Sequence, residues 1–215
     1  MKAFIFDLDG VIVNTTYYHY LAWRALAHDL GFEFNQEQNE QLKGVSRMQS
    51  LELVLAAGRI TNLTMKEKEN LADKKNHYYR QMISNLGEDE ILPGIPEFLK
   101  KIKIKGYAAA LGSASRSAKF ILERVRLDSC FDAVVDGSMA VRAKPDPDIF
   151  RKAADLLQIP YQNCIVVEDA AAGIEAAKNA GMKSIGIGDE NILSRADFIL
   201  SETKQLLELD LEKLL

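Results

Sequence analysis

Short apolar runs recur along the chain at residues 3–6, 106–111, 133–135, 164–167, 182–187 and 197–199. Several are apolar at consecutive positions rather than alternate ones and rich in Val or Ile, the pattern of strands covered on both faces in a parallel sheet. Between them lie segments of helical spacing. Residues 96–104 carry Phe98, Leu99 and Ile102, and residues 117–125 carry Phe120, Ile121 and Leu122. Residues 146–157 place Pro147 in their first turn, and residues 170–180 are small and apolar and stop at Gly181. Alternating strands and helices predict an α/β fold, a right-handed, doubly wound, Rossmann-like parallel sheet. Residues 200–215 alternate Leu with charge at helical spacing and predict a last helix over one edge of the sheet.

Residues 15–92 break this rhythm. They show almost no strand signal and four helical runs, at 17–30, 36–42, 47–57 and 66–83. A single crossover does not need so much chain. The expected organisation is an α/β core from residues 1–14 and 93–215, with residues 15–92 inserted as an all-helical cap domain. Its two connections, near Val13 and Ile91, form a paired hinge, and Pro93 and Gly94 mark the return to the core.

At 215 residues the chain is long enough for such a domain with an insert. Its 27 basic and 31 acidic residues, net −4, give no broad reason to expect nucleic acid or an anionic membrane as partner. A monomer acting on a small molecule is expected. Cys130 and Cys164 are too few for a disulfide framework and lack metal-ligand spacing, so both are read as buried residues of a reducing compartment. Asp7 and Asp9 interrupt the first apolar stretch within the window a signal peptide needs, and no run approaches about 18 apolar residues. A cytoplasmic location is expected.

The candidate chemistry sits where strands end. The first strand runs into Asp7-Leu8-Asp9-Gly10. Paired carboxylates at the exit of a buried strand are costly unless a metal ion and a phosphoryl group offset the charge. An ionised Asp7 can attack phosphorus and become an aspartyl phosphate. Asp9, two residues on, can serve as general acid or base. The competing reading is a solvated turn that begins a helix. Ser113-Ala114-Ser115 follows a second strand and suits an anion cradle, although Ser115 or Ser117 also fits a helix cap. Lys144 precedes Pro145 and so has a defined direction, either toward a transferring phosphoryl group or out to solvent. Val166-Val167-Glu168-Asp169 is a second buried strand ending in acids. Two such ends at one sheet edge can hold a single Mg²⁺ through oxygen ligands.

Within the insertion, His19 lies four residues after Thr15, on the same helical face. It fits an interface residue as well as a catalytic helper. Gly44-Val45-Ser46-Arg47 is a turn that opens a helix, with an arginine suited to bidentate phosphate binding or to plain solvation. Lys43 and Lys75 are further candidates. Trp23, Tyr17, Tyr18 and Tyr20 are expected to pack the helices.

Four separated motifs, Asp7-Leu8-Asp9-Gly10-Val11, Gly112-Ser113-Ala114-Ser115, Lys144-Pro145 and Glu168-Asp169, resemble the signature set of the haloacid dehalogenase-like phosphotransferase superfamily. The likeness runs along nearly the whole chain. Within that superfamily, Thr15, His19, the stretch from Leu42 to Arg47, Lys75-Asn76 and Ser113-Ala114-Ser115 resemble the β-phosphoglucomutase family. The resemblance implies that Asp7 is the nucleophile and that Asp9 is the general acid/base, with its backbone carbonyl on the metal. It implies Mg²⁺ as cofactor, bound by Asp7 and Asp169 with Glu168 in support. Ser113 and Lys144 would hold the transferring phosphoryl group. Arg47, Ser115 and Arg116, with Gly44, Val45, Ser46 and Ala114, would hold the distal phosphate. His19 and Lys75 would assist from the insertion, and Thr15 would sit at the hinge. The implied reaction interconverts β-D-glucose 1-phosphate and β-D-glucose 6-phosphate through β-glucose 1,6-bisphosphate. A Mg²⁺-dependent sugar-phosphate phosphatase and a non-catalytic sugar-phosphate-binding protein are the alternatives. Two positions depart from the family pattern: Asn14 stands where an acid is usual, and Arg116-Ser117 replaces Lys-Asn.

Overall fold

Six parallel strands form one sheet in the order β3-β2-β1-β4-β5-β6, and helices cover both of its faces. The computed structural model describes residues 1–42, 45–139 and 142–214. The strands are β1 (Ala3–Phe6), β2 (Ala108–Gly112), β3 (Ala133–Val135), β4 (Cys164–Glu168), β5 (Lys183–Ile187) and β6 (Phe198–Leu200). The α-helices are α1 (Thr16–Asp29), α2 (Gln36–Glu40), α3 (Arg47–Ala57) and α4 (Met65–Met82) between the first two strands. Then come α5 (Ile95–Ile104), α6 (Ala118–Arg124), α7 (Asp148–Leu157) and α8 (Ala171–Ala180). The expected parallel, doubly wound sheet with a helical insertion is what the chain forms. Strand and helix limits differ from the expected ones by a few residues. Pro147, for instance, stands just before the first turn of α7 rather than within it.

Side chains of a strand alternate between faces, and the central strands are apolar on both. Phe4, Phe6, Leu111, Ile165 and Val167 pack with Phe98 and Ile102 of α5 and Ile121 of α6. Ala3, Ile5, Ala110, Cys164 and Val166 pack on the other face with Phe150 of α7 and Ala176 of α8. The insertion has its own apolar cluster around Trp23, Leu26, Leu51, Val54 and Ala72. Tyr79 and Ile83, at the end of α4, join the sheet's cluster instead. Chain exit and return run side by side: Val13 and Ile91 form an antiparallel bridge. The Asn14 N–H donates to Glu90 O at 2.8 Å and the Leu92 N–H to Ile12 O at 3.0 Å.

Two expectations are corrected. A last α-helix is expected over residues 200–215, and residues 200–214 do not form one. Leu200 ends β6, a 3-10 helix spans Thr203–Glu208, and turns follow. Leu206, Leu211 and Leu214 are buried, so the apolar spacing reported burial rather than helicity. The carbonyls an α-helix would bond internally go to side chains of the core. Lys101 Nζ donates to Leu207 O at 2.8 Å and Leu209 O at 2.9 Å, Tyr107 Oη to Leu211 O at 3.1 Å, and Lys183 Nζ to Leu214 O at 2.7 Å. Second, of the two free cysteines only Cys164 is fully buried, and Cys130 is half-buried. Among the described residues, no helix is long and apolar enough to cross a membrane.

Candidate active site

The strand order reverses between β1 and β4, and the crevice beyond the carboxyl ends of such strands is where an open α/β sheet binds ligands. The Asp7 N–H donates to Val167 O at 2.9 Å, extending the ladder one residue past β1. Asp7 therefore emerges beside Glu168 and Asp169, and carboxylate oxygens of the three lie within 4.8 Å of one another. Two glycines make room for them. A Cβ on Gly10, whose φ is +84°, would stand 2.2 Å from Asp169 Oδ2, and one on Gly173 would stand 1.9 Å from Glu168 Oε1. Glu168 Oε2 also accepts the Ala170 N–H at 2.8 Å, at the start of α8.

Lys144, 1% exposed, reaches this cluster from a loop 137 residues away from Asp7 in the chain. Its Nζ donates to Asp7 Oδ1 and to Glu168 Oε1, both at 2.6 Å. Burial pulls the Lys144 ammonium down, but the Asp7 and Glu168 carboxylates outweigh it and hold the group above the ordinary lysine range. Burial pushes the Asp7 carboxyl up to about 7. Lys144 opposes the shift, and Glu168 and Asp9 add to it. Asp7 and Glu168 thus share one ammonium, and with Asp169 they form an all-oxygen donor set that suits a hard divalent cation such as Mg²⁺. The side chain of Asp9 is outside this group.

Asp9 instead turns toward the insertion. Its Oδ1 accepts the Thr15 hydroxyl and, at 3.4 Å, the Tyr79 hydroxyl. Thr15 occupies the N-cap position of α1, yet its side chain makes no cap bond because the hydroxyl is used on Asp9. His19 Nε2 stands 3.5 Å from the same carboxylate oxygen. Burial pushes Asp9 up, but His19, Thr15 and Lys75 outweigh it and the carboxyl falls below its ordinary value. His19 stacks on the Tyr79 ring, with centroids 3.9 Å apart, and its Nδ1 lies 2.8 Å from Lys75 Nζ. Burial, helped by Lys75, lowers the imidazole. Lys75 is 4% exposed and lies over the rings of Trp23, at 4.7 Å, and Tyr79, at 5.0 Å. Burial lowers its ammonium to about 7.

Sheet edge and insertion enclose a cavity of about 260 Å³. Asp7, Asp9, Lys144 and Asp169 line it from the core, as do Ala114, Ser115 and Arg116, and His19, Lys75, Val45, Ser46 and Arg47 line it from the insertion. The serine loop turns twice. Ser113 Oγ accepts the Ser115 N–H at 3.1 Å, and Ser115 Oγ accepts the Ser117 N–H at 3.2 Å. Ser117 makes no side-chain cap for α6, so that cap reading is corrected. Ser113 itself is buried beneath the turn. Ser46 caps α3 reciprocally with Gln49. Arg47 Nη1 donates to Asp73 Oδ1 at 2.6 Å. Lys43 and Gly44 lie outside the described residues.

Sequence reasoning passed over Tyr79, Asp73 and Arg142, the last of which lines the cavity, and it read Trp23 as packing alone although Trp23 also lines the cavity. A signal for Tyr79 existed: it follows Lys75 by one helical turn and so shares its face. Asp73 carried none, because its partner is 26 residues away.

Residues 1–181 match the model of the haloacid dehalogenase-like hydrolase family. Over 207 residues the chain is 43% identical to a β-phosphoglucomutase of Bacillus subtilis (strain 168), covering 96% of this chain and 92% of the relative. It is 31% identical over 186 residues to a phosphorylated carbohydrates phosphatase of Thermotoga maritima, covering 86% and 84%. The crystal structure of a β-phosphoglucomutase from Clostridium difficile superposes with a TM-score of 0.93 at 41% identity, over 99% of this chain and 95% of that one. With its strand-end carboxylates, its buried lysine and a helical insertion over the sheet edge, the chain belongs to the haloacid dehalogenase-like hydrolase family.

Proposed function

We propose that this protein is a Mg²⁺-dependent β-phosphoglucomutase, interconverting β-D-glucose 1-phosphate and β-D-glucose 6-phosphate through an aspartyl phosphate and β-glucose 1,6-bisphosphate. One observation carries the reading: a single cavity is lined both by the Asp7–Asp9 pair and by a second set of anion-binding groups, Arg47, Ser115 and Arg116. A bisphosphate intermediate needs both.

In this reading Asp7, Asp169 and the Asp9 carbonyl, with Glu168 in support, would hold a Mg²⁺ ion, which would supply positive charge to offset that of the phosphoryl group. An Asp7 carboxylate oxygen attacks phosphorus, and the bond between phosphorus and the sugar oxygen breaks. Asp9, held as a carboxylate, takes a proton from the sugar hydroxyl that receives the phosphoryl group from Asp7, and returns it to the sugar oxygen that departs when Asp7 is next phosphorylated. Lys144 and Ser113 hold the transferring oxygens against charge repulsion. Arg47, Ser115 and Arg116, with Val45, Ser46 and Ala114, grip the phosphate that does not react. Thr15 and His19 hold Asp9 at the hinge, and Lys75 faces the sugar. Residues 15–92 act as a cap that closes over the core, 1–14 and 93–215, and excludes water. The protein works as a cytoplasmic monomer on sugar phosphates.

Incubation with β-D-glucose 1-phosphate, Mg²⁺ and a trace of β-glucose 1,6-bisphosphate tests this. Glucose 6-phosphate is the expected product. Free phosphate in its place would make the protein a phosphatase, as its Thermotoga maritima relative is named. Binding without turnover would make it a non-catalytic sugar-phosphate receptor. Asp7→Asn is expected to lose transfer by about 10⁴-fold while keeping the fold, since its amide oxygen still accepts from Lys144.

A further inference from the structure

We propose that Asp73 competes with the substrate's distal phosphate for the Arg47 guanidinium, and so sets how tightly a sugar phosphate is gripped. The inference rests on the reading of Arg47 as a distal-phosphate residue.

Arg47 is the first residue of α3 and lines the cavity. Asp73 lies on α4, two residues before Lys75, but does not line the cavity, and its side chain is 68% exposed. It therefore meets the guanidinium from the solvent side, with Nη1 and Oδ1 2.6 Å apart. A guanidinium binds phosphate through paired donors in one plane. With Nη1 already bonded to a carboxylate, an arriving phosphate has fewer of those donors and meets a negative charge on the same cation.

The fold does not depend on the pair. Exposed ion pairs contribute little to stability. The start of α3 is capped independently by Ser46 and Gln49. Lys68 and Glu52, 2.8 Å apart, link α3 to α4 elsewhere. Lys74, the nearest cation in the chain to Asp73, is engaged with Asp29 at 2.7 Å and does not cancel its charge. What remains is an effect on whatever anion Arg47 binds. A phosphate that does not react is held alike in ground and transition states, so the effect belongs in KM rather than kcat.

The test compares the parent protein with Asp73→Asn and Asp73→Glu, by calorimetric titration of glucose 6-phosphate in the presence of Mg²⁺ and by steady-state kinetics. Asp73→Asn is expected to lower both Kd and KM by about three- to tenfold, with kcat within about twofold of the parent and an unchanged melting temperature. Asp73→Glu, which keeps the competing charge, is expected to match the parent. A Kd that stays or rises in Asp73→Asn overturns the inference, as does a change confined to kcat. If glucose 6-phosphate binds neither the parent nor the variants, the sugar-phosphate reading itself fails, and this inference with it. Equal binding to parent and variant removes the inference alone.

Discussion

Lys144 Nζ and Asp7 Oδ1 are 2.6 Å apart at the buried end of the cavity, and the same ammonium holds Glu168. This contact explains how the chain tolerates two buried carboxylates, and it puts fixed positive charge where the proposed nucleophile meets a phosphoryl group.

Lys144→Met keeps much of the side chain's bulk and leaves both carboxylates without their cation. Breaking a buried ion pair from one side costs about 3–5 kcal/mol. Metal-free thermal melts are expected to show that loss, and added Mg²⁺ is expected to narrow it. Turnover of β-D-glucose 1-phosphate should fall by roughly 10²-fold or more. A variant with parental turnover would remove Lys144 from the mechanism.

Gly10→Ala places a methyl group where Asp169 Oδ2 now lies, at a residue with φ +84°. Backbone strain of this kind costs about 1–3 kcal/mol, and the displaced carboxylate is expected to weaken metal binding as well. Gly181→Ala separates the two effects, because its φ is also positive, at +76°, but its Cβ would meet nothing within 4 Å. Mn²⁺ titration followed by electron paramagnetic resonance should show weakened binding in the first variant and parental binding in the second.

Lys75 makes stability depend on pH. Its ammonium falls from the ordinary 10.5 to about 7 in the folded protein. Below pH 7 both folded and unfolded chains carry the proton, and the cost of burying the charge is felt in full. Between about 7 and 10.5 the unfolded chain binds more protons, so this residue makes stability rise with pH, by at most about 1.4 kcal/mol per pH unit. In Lys75→Met the contribution disappears. Urea unfolding at pH 6 and pH 9 is expected to show a smaller gain between the two values than in the parent. An identical gain would mean that the buried amine keeps its ordinary affinity for protons.

Lys101→Met tests the account of the chain end. Removing Nζ leaves the carbonyls of Leu207 and Leu209 without their donor. A stability loss of about 1–3 kcal/mol is expected, with faster amide exchange in residues 203–214 than in β1. Exchange that is unchanged there would place the hold on the segment in its leucines alone.

The two acidic strand ends were legible because their evidence is local. An apolar run such as Ala3–Phe6 announces its own burial, and a carboxylate just beyond it, Asp7 or Asp169, needs a reason. The helical insertion was legible for the same cause, as a long stretch with one periodicity. The pattern of residues 200–215 misled because leucine spacing encodes which side chains are buried, whereas the backbone's partners are Lys101, Tyr107 and Lys183 from distant parts of the chain.

Periodicity and strand-end charge were enough to read the sheet, its insertion and the acidic pair from the residues alone. Folding had to settle which charges meet: Lys144 with both Asp7 and Glu168, Asp9 with Thr15 rather than with the metal-site carboxylates, Tyr79 beneath His19, and Asp73 on Arg47. The reason is range. Burial preference is written into neighbouring residues, but an ion pair's partner and solvation follow from distance in space, which chain separation does not encode.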